Sequence, residues 1–455
     1  MLIMRLIARF AQEQLNCFEI ITVYDQRTIT ERINKKTPVL VSISNEYPTA
    51  SWFERKIHDD FGIEILYNND NRPLVKHQHF PDDVYPMRKT YHKRSLETYR
   101  PLSKIVKIDK RAVVLGPVHP YHLESSQFQL FATNNEISHI NVIPFYKHRG
   151  IEKMVEGLSI KEAKPIVERI SGSMSIAYQC AYMDIWIQAS RREAPSIIKK
   201  RHAFLLEFER VINHLHDLAI LCRFAKFNAG FTFLMQWVEA SRSEMKNLTG
   251  HRFGFGAVNL NRHPIDTPKS YEFLMALSKK MIWFETWIKN NTSFWYTLIG
   301  QGTLTKTQSR DYGLVGIMAR SVHNPLDRRT KNPLYQAYNF HPALEEYGDV
   351  NARFRIRITE IHTSLRLMQL LLETKMFPFF LGKIHDGQYT SYIESSAGEL
   401  MMYLWLKDEK IERFFVRDPS FLNAQALPLI SQNSELNDLG TIIKSIPLSF
   451  STNDL

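Results

Sequence analysis

The stretch that most restricts the fold is SIIKKRHAFLLEFERVINHLHDLAILCRF, residues 196–224. Its apolar residues recur with a period near 3.6, which places them on one face of a long helix. That face is formed by Ile198, Phe204, Leu205, Phe208, Val211, Ile212, Leu215, Leu218, Ala219 and Cys222. Residues 266–290 and 350–375 repeat the pattern and predict two further long helices. Because such helices must bury their apolar faces, the chain from about residue 150 is predicted to bundle around a helix beginning near RISGSMS.

The N-terminal part of the chain, 1–75, mixes helix and strand patterns. MLIMRLIARFAQEQL is predicted to be an amphipathic helix, because Arg5 and Arg9 interrupt its apolar residues. TPVLVSISNEYP predicts a strand, and TASWFERKIHDDFGIEIL predicts an amphipathic helix that ends at Gly62.

Residues 76–108 are rich in turn-forming and basic residues and predict an extended linker across a surface. After it, AVVLGPVHP and FQLFATNNEISHINVIPF predict strands, the latter turning at Asn134-Asn135. The predicted fold class is α+β. It has a small N-terminal α/β domain at 1–75, a linker at 76–108, and a mainly α-helical bundle domain with a short antiparallel sheet at 109–455.

Composition and motifs argue against several classes of function. Cys17, Cys180 and Cys222 form no C-x-x-C pair, which argues against structural zinc and cysteine-held iron–sulfur clusters. No G-x-G-x-x-G follows a strand, and no apolar run reaches the roughly 20 residues that span a bilayer. The formal net charge of +11 is spread along the chain without an RNA- or DNA-binding signature, so no nucleic-acid partner is predicted. Acidic subunits, an anionic membrane surface or simple solvation would each explain the charge.

Several motifs follow one another in the order found in one superfamily. They are WFERKIHDDFGIE, GPVHP, YKHRGIEKM, LLEFERVINHL, DRRTKNPLYQAY with GDVNARFRIRITEI, VRDPSFLNAQAL and IIKSIPLSFSTND. Together they resemble a fusion of two subunits of respiratory complex I, the thirty-kilodalton subunit and the forty-nine-kilodalton quinone-site subunit. They also resemble the large subunits of membrane-bound nickel–iron hydrogenases of the formate hydrogenlyase type (group 4). The resemblance implies that the smaller subunit's domain precedes the linker and the larger subunit's domain follows it.

The chain departs from the hydrogenases at their metal ligands. Their two C-x-x-C pairs fall here on Ser171 and Met174, and on Ser449 and Thr452. Alcohols and a thioether do not replace thiolates at a nickel centre, so no metal is expected and the chain is not expected to cycle hydrogen itself. The family's fold brings its two pairs together, so these four residues are predicted to share one buried pocket.

The resemblance also supplies candidates for the lining of that cavity, although the sequence assigns no catalytic residue. Complex I uses a histidine and a tyrosine in its quinone cavity; Gly172 stands where that tyrosine would be, and Tyr178 could supply a phenol instead. Arg149 and Glu152 could form a buried ion pair that lines the cavity, or a purely structural pair. The remaining candidates are His119, His122 and Asp327.

The function implied is that of a non-nickel core subunit in a membrane-associated oxidoreductase complex, with electron transfer coupled to ion translocation. The family implies a small iron–sulfur subunit, a ferredoxin-like subunit and antiporter-like membrane subunits as partners. It also implies a peripheral place on the cytoplasmic side of the membrane. No cofactor is expected on this chain: an iron–sulfur cluster would lie in a partner, and NAD would bind in the complex. A quinone-reducing catalytic subunit and a purely structural scaffold are the alternatives.

Overall fold

The computed structural model describes residues 4–76, 80–81, 83–91, 112–119, 124–260, 267–372 and 379–455. The strands within these ranges are β1 Leu6–Glu13, β2 Cys17–Tyr24, β3 Thr28–Asn34, β4 Val39–Val41, β5 Glu64–Leu66, β6 Val113–Leu115, β7 Gln127–Thr133, β8 Glu136–Ile143, β9 Gly387–Ser395, β10 Gly398–Lys407 and β11 Lys410–Arg417. They form four separate sheets, and the sheets occupy both ends of the chain with the helices between them.

The helices fall mainly in the middle of the chain. They are α1 Ala50–Phe61, α2 Ile151–Met154, α3 Ile160–Val167, α4 Ser175–Ala189, α5 Ser196–Phe224, α6 Asn228–Thr249, α7 Thr267–Ile288, α8 Thr292–Tyr296, α9 Lys306–Asp311, α10 Ile317–Arg320, α11 Pro333–Ala337, α12 Val350–Leu371, α13 Pro419–Asn423, α14 Leu427–Ser431, α15 Leu439–Ser445 and α16 Phe450–Asp454. The α+β class is confirmed, and so are the long helices α5, α7 and α12. The predicted linker at 76–108 lies largely outside the described residues.

The N-terminal segment is a strand, so the prediction of an amphipathic helix there is wrong. β1 pairs with β2 in an antiparallel sheet of order β1-β2-β3, and every residue of β1 is buried. Arg9, which suggested a polar helix face, donates instead to Glu54 of α1 at 2.7 Å. A basic residue in an apolar run therefore marked a buried ion pair and not an exposed face.

Two local signals in the sequence are confirmed. α1 ends at Gly62, whose φ of 67° gives the left-handed C-cap that favours glycine. Asn134 and Asn135 have φ values of 51° and 70°, and they join β7 to β8 as a two-residue hairpin. The strand predicted at TPVLVSISNEYP shrinks to β4, which pairs in parallel with β5.

The helical bundle is built around α4, which is buried over most of its length. α4 packs against α5 on one side and against β9 and β10 on the other. The sheet of order β11-β10-β9 was not predicted from the sequence. Its central strand GELMMYLWLK is buried on both faces and so lacks the alternation that marks a half-exposed strand.

The N-terminal domain is bound tightly to this C-terminal sheet. The ring of Phe10 in β1 stacks on Phe415 of β11, with centroids 4.1 Å apart. The Tyr403 hydroxyl donates to Gln12 at 2.8 Å, and Arg413 Nε donates to the Ala11 carbonyl at 3.1 Å. The two ends of the chain therefore share one apolar core and several buried polar contacts.

An apolar patch on α7 generates a testable prediction. Ile282 and Trp283 are 57% and 50% exposed, and Trp287 lies beside Trp283 with centroids 5.1 Å apart. Contiguous exposed apolar surface promotes association. We expect the isolated chain to self-associate, and Trp283→Lys to reduce this in analytical ultracentrifugation. Thr30→Lys, at an exposed threonine of β3 in the N-terminal sheet, is the control; equal solubilisation by both variants would contradict the role of the patch.

Candidate functional site

A cavity of about 360 Å³ lies where the RISGSM segment meets the last residues of the chain. The loop before α4 and the segment before α16 form two of its sides, and α5 and α6 contribute the others. The lining residues are Glu124, Gly172, Ser173, Glu209, Ile212, Asn213, Arg242, Met245, Arg252, Phe253, Ser449 and Ser451. Most of these side chains are polar, so the cavity is suited to a hydrogen-bonding occupant.

The loop at 171–174 turns tightly into α4. Ser171 Oγ accepts a hydrogen bond from the Met174 backbone N–H at 2.9 Å, and both residues are buried. Between them, Gly172 and Ser173 face the cavity. A Cβ atom built on Gly172 meets no atom within 4 Å, so this position has space for a side chain.

The C-terminal segment is ordered by side-chain hydrogen bonds. Ser449 caps α16 by accepting from the Thr452 backbone N–H, and it donates to Glu124 at 2.9 Å. Thr452 is fully buried, and its hydroxyl donates to the Ser449 carbonyl at 3.0 Å. Of the four residues predicted to share a pocket, Ser449 lines the cavity, Ser171 and Met174 flank the lining residues 172–173, and Thr452 lies behind Ser449.

Arg149 joins the two segments. Its Nη2 donates to the carbonyls of Ile170 and Ser451, each at 2.8 Å. This one guanidinium therefore connects Ile170 of the RISGSM segment to Ser451 of the C-terminal segment. The connection is made by hydrogen bonds to carbonyl groups and does not require a metal.

The predicted ion pair between Arg149 and Glu152 does not form. Glu152 is buried and instead pairs with Arg413 at 2.7 Å and Lys56 at 3.5 Å. The reason is the backbone at Gly150, whose φ of 69° turns the chain just before α2. That turn sends Arg149 toward the cavity segments and Glu152 toward the N-terminal domain.

The remaining candidates are dispersed. His119 is buried against Phe128, its Nε2 lies 3.2 Å from Ser126 Oγ, and burial lowers its pKa. His122 lies outside the described residues. Tyr178 is fully buried and donates to Asp418 at 2.7 Å, in the core behind the cavity.

Asp327 lies elsewhere, in a buried ion network. Its carboxylate is 3.1 Å from Arg320 and 2.8 Å from Arg329. The DRR segment was predicted to meet a ligand or a partner, but two of its three side chains are satisfied inside the protein. Arg328 alone remains partly exposed.

Sequence reasoning missed the acidic and basic lining residues. Glu209 belongs to the LLEFERVINHL motif but was not singled out within it, and its buried carboxylate accepts from the backbone N–H groups of Ile176 at 2.6 Å and Ala177 at 3.1 Å. Burial raises the pKa of Glu209 to about 8, although the two N–H donors oppose this. Arg242 and Arg252 share Glu239 and flank Phe253, so the cavity presents both a proton-holding carboxyl group and positive charge.

Comparison with known proteins identifies the family. The family "Respiratory-chain NADH dehydrogenase, 30 Kd subunit" matches residues 5–97. The family "Respiratory-chain NADH dehydrogenase, 49 Kd subunit" matches residues 229–379 and 378–454. The chain is a fusion of these two subunit types of complex I. Its sheets at opposite ends of the sequence thus belong to two family domains that fold against each other.

The relatives of this chain belong to two kinds of complex. The chain is 25% identical to formate hydrogenlyase subunit 5 of Escherichia coli, over 94% of this chain and 79% of that one. It is 23% identical to the C/D fusion protein of NADH-quinone oxidoreductase from Phocaeicola vulgatus, over 92% and 88% respectively. Hydrogenase-4 component G of Escherichia coli is 26% identical over 91% of this chain and 75% of its own. The homologues are therefore core subunits of complex I-like and membrane-bound hydrogenase complexes.

The fold is also found in a solved structure. A chain of the membrane-bound sulfane sulfur reductase, an archaeal respiratory membrane complex, superposes with a TM-score of 0.71 at 20% identity. The match covers 76% of this chain and all of that one. No helix within the described ranges is long and apolar enough to cross a bilayer.

The Glu209 carboxyl group makes stability depend on pH. Because its pKa is raised in the folded state to about 8, the folded chain holds a proton that the unfolded chain releases near pH 4.5. The contribution of Glu209 to the free energy of unfolding is therefore greatest below about pH 4.5. It declines as pH rises toward 8, by up to about 1.4 kcal/mol per pH unit. We expect Glu209→Gln to flatten this decline in thermal unfolding measured from pH 5 to 8.5.

The matched control is Glu136→Gln, an exposed carboxyl group in β8. Its unfolding midpoint should follow the wild-type pH profile. A Glu209→Gln profile parallel to wild type over the whole range would show that Glu209 is ionised in the folded chain.

Proposed function

We propose that this fused subunit is a non-nickel core subunit of a membrane-associated oxidoreductase complex, in which it takes part in electron transfer coupled to ion translocation. The observation that carries the proposal is the cavity between the RISGSM loop and the C-terminal segment. It is lined by hydroxyl, carboxyl and guanidinium groups, and by the resemblance to hydrogenases it would correspond to the place of their metal. Family membership supports the role as a core subunit.

Nickel does not fit the residues present. By the resemblance to hydrogenases, the positions of their four thiolates would correspond here to Ser171, Met174, Ser449 and Thr452. Two of the hydroxyls are engaged as hydrogen-bonding groups at turns, Ser171 with Met174 N–H and Ser449 with Glu124. Neutral oxygen and thioether donors are poor ligands for a centre that requires soft anionic sulfur. The site therefore favours an organic occupant or water over a metal.

The partners follow from the same proposal. A small iron–sulfur subunit would bring a cluster close to the cavity, a ferredoxin-like subunit would supply electrons, and antiporter-like membrane subunits would move the ion. The chain would bind no redox cofactor itself, and NAD would bind elsewhere in the complex. It would lie peripherally on the cytoplasmic side of the membrane.

Quinone reduction is the second candidate function, and one observation favours it over a scaffold. A scaffold whose site had collapsed would have apolar side chains filling the space, but eight of the twelve lining residues are polar and the position of Gly172 is open. Arg242 and Glu209 would offer a hydrogen-bond donor and a proton to a quinone oxygen. His119 and Tyr178 are buried in hydrogen bonds to other groups, so they are weaker candidates for this contact.

The proposal is tested on the complex purified from native membranes through a tag on this chain. We expect co-purification of an iron–sulfur subunit and of membrane subunits, with iron but no stoichiometric nickel by elemental analysis. We also expect no hydrogen uptake. Stoichiometric nickel, or recovery of the chain alone as a stable monomer, would overturn it.

Gly172 permits a sharper prediction about quinone. Because its Cβ position is open, Gly172→Ala, Gly172→Phe and Gly172→Tyr should all fold, with unfolding free energies within about 1 kcal/mol of wild type. We expect Gly172→Phe to fill the cavity and lower quinone-dependent turnover of the complex. Gly172→Tyr occupies the same space but restores a phenol donor, and should exceed Gly172→Phe in kcat/KM by about two- to tenfold.

Gly172→Ala is the control for the loss of glycine and should behave as wild type. If Gly172→Phe leaves electron transfer unchanged, the cavity takes no part and the scaffold function is favoured. Equal activities of the Phe and Tyr variants would exclude a hydrogen bond from this position to quinone.

A further inference from the structure

A second cavity, of about 500 Å³, lies on the other side of the bundle core. Its walls come from the middle and second half of α4, the first three turns of α5, the segment 328–335 and β9. It shares no lining residue with the cavity between the RISGSM loop and the C-terminal segment. Its properties can therefore be tested separately from the proposed function.

Excess positive charge borders this cavity. The Glu399 carboxylate is shared by three arginines: Arg5 at 2.8 Å, Arg328 and Arg417. These guanidiniums hold the pKa of Glu399 well below its usual range, although burial opposes them. Asp418 also attracts Arg417, but Arg5 and Arg328 share the Glu399 carboxylate and are only partly exposed, so positive charge remains in excess on their side of the cluster. The cluster therefore favours an added anion.

Arg328 is the member of this cluster that reaches the cavity. Its Nε donates to Glu399, and its guanidinium lies over the Tyr392 ring with 4.2 Å to the centroid. Within the described part of the chain, neither terminal nitrogen of Arg328 has a hydrogen-bond acceptor, and the side chain is 18% exposed. A guanidinium fixed at Nε with both terminal nitrogens available is the geometry that binds carboxylate or phosphate oxygens in pairs.

Two lysines add to the charge of the lining. Lys331 is exposed and has no ion-pair partner among the described residues, while Lys199 is paired with Glu193 at 2.8 Å. Asp184 is the acidic residue in the lining, and burial raises its pKa. The lining is therefore cationic.

Apart from His202 and Asn332, the rest of the lining is apolar or aromatic. Ile187, Leu206, Leu334 and Ile393 contribute aliphatic surface, and Tyr392 contributes a ring already held by Arg328. Such surface does not help to bind a bare inorganic anion. It would bury the body of an organic molecule, at about 25 cal/mol for each Å² removed from water.

We propose that this second cavity binds a small organic oxyanion, a phosphate or carboxylate joined to a flat or aliphatic apolar body. The anion accepts from the terminal nitrogens of Arg328 and is attracted by Lys331. The apolar body lies against the aliphatic side chains. Binding is non-covalent and involves no chemical step.

The test uses the tagged complex and three probes: phenyl phosphate, benzoate and inorganic phosphate, measured by isothermal titration calorimetry. Phenyl phosphate or benzoate should bind more tightly than inorganic phosphate, because only they carry an apolar body. We expect Arg328→Lys, which keeps the charge but loses the paired donors, to weaken binding about tenfold. Lys331→Gln should weaken it severalfold, and Lys279→Gln, an exposed lysine on α7, should have no effect.

Each outcome decides the proposal. If phenyl phosphate and benzoate bind with unequal affinity, the one that binds more tightly identifies the oxyanion that the site prefers. Absence of saturable binding at millimolar concentrations, or equal loss in Lys331→Gln and Lys279→Gln, would overturn it. Because Lys331 is exposed and Lys331→Gln removes no ion pair seen in the described chain, a folding defect cannot account for its effect. Failure here would leave the nickel and quinone tests of the other cavity unaffected.

Discussion

The bundle depends on a buried network of ion pairs between α5, α10, α12, β9 and the segment after α10. Its arginines and carboxylates are nearly inaccessible to water, and each arginine contacts at least one carboxylate or carbonyl group. The members are Glu207, Arg210, His214, Arg320, Asp327, Arg329, Glu360 and Glu394. Removing one partner from such a network leaves an uncompensated buried charge, which typically costs about 3–5 kcal/mol. The network therefore fixes one arrangement of these elements.

Hydrogen bonds of the protein's own groups also hold the walls of the first cavity together. α5 carries Glu209 and Asn213 into the cavity, and Asn213 Nδ2 also donates to the Ser173 carbonyl at 2.8 Å, which holds the RISGSM loop. Arg149 holds the same loop to the C-terminal segment from the other side. Ser171 and Ser449 each accept a hydrogen bond from a backbone N–H in the turns at two sides of the cavity. The walls of the cavity are therefore fixed by contacts within the protein.

The sequence predicted elements whose signals are local, and it failed where a signal depended on a distant partner. The period of α5 and the Asn134-Asn135 turn are readable from a few residues, because helix faces and tight turns obey local rules. Arg9 in β1 was misread, since its partner Glu54 comes from another element 45 residues away. Arg149 and Glu152 are close in sequence, but Gly150 sends them in different directions. The role of Glu209 could not be predicted, because it depends on backbone N–H groups at the start of α4 that the sequence alone does not place beside this carboxylate.

One turn of α5 shows how closely these functions are combined. In LEFER, Leu206 lines the second cavity, Glu207 and Arg210 belong to the ion network, and Glu209 lines the first cavity. Successive residues of a helix point about 100° apart, so the side chains of one turn can face three different environments. A change at Glu209 alters one cavity only, whereas a change at Glu207 or Arg210 weakens the frame of both. The motif that carries the family resemblance is thus first a structural requirement, and its chemistry rests on Glu209 and Asn213, the polar side chains that face the first cavity.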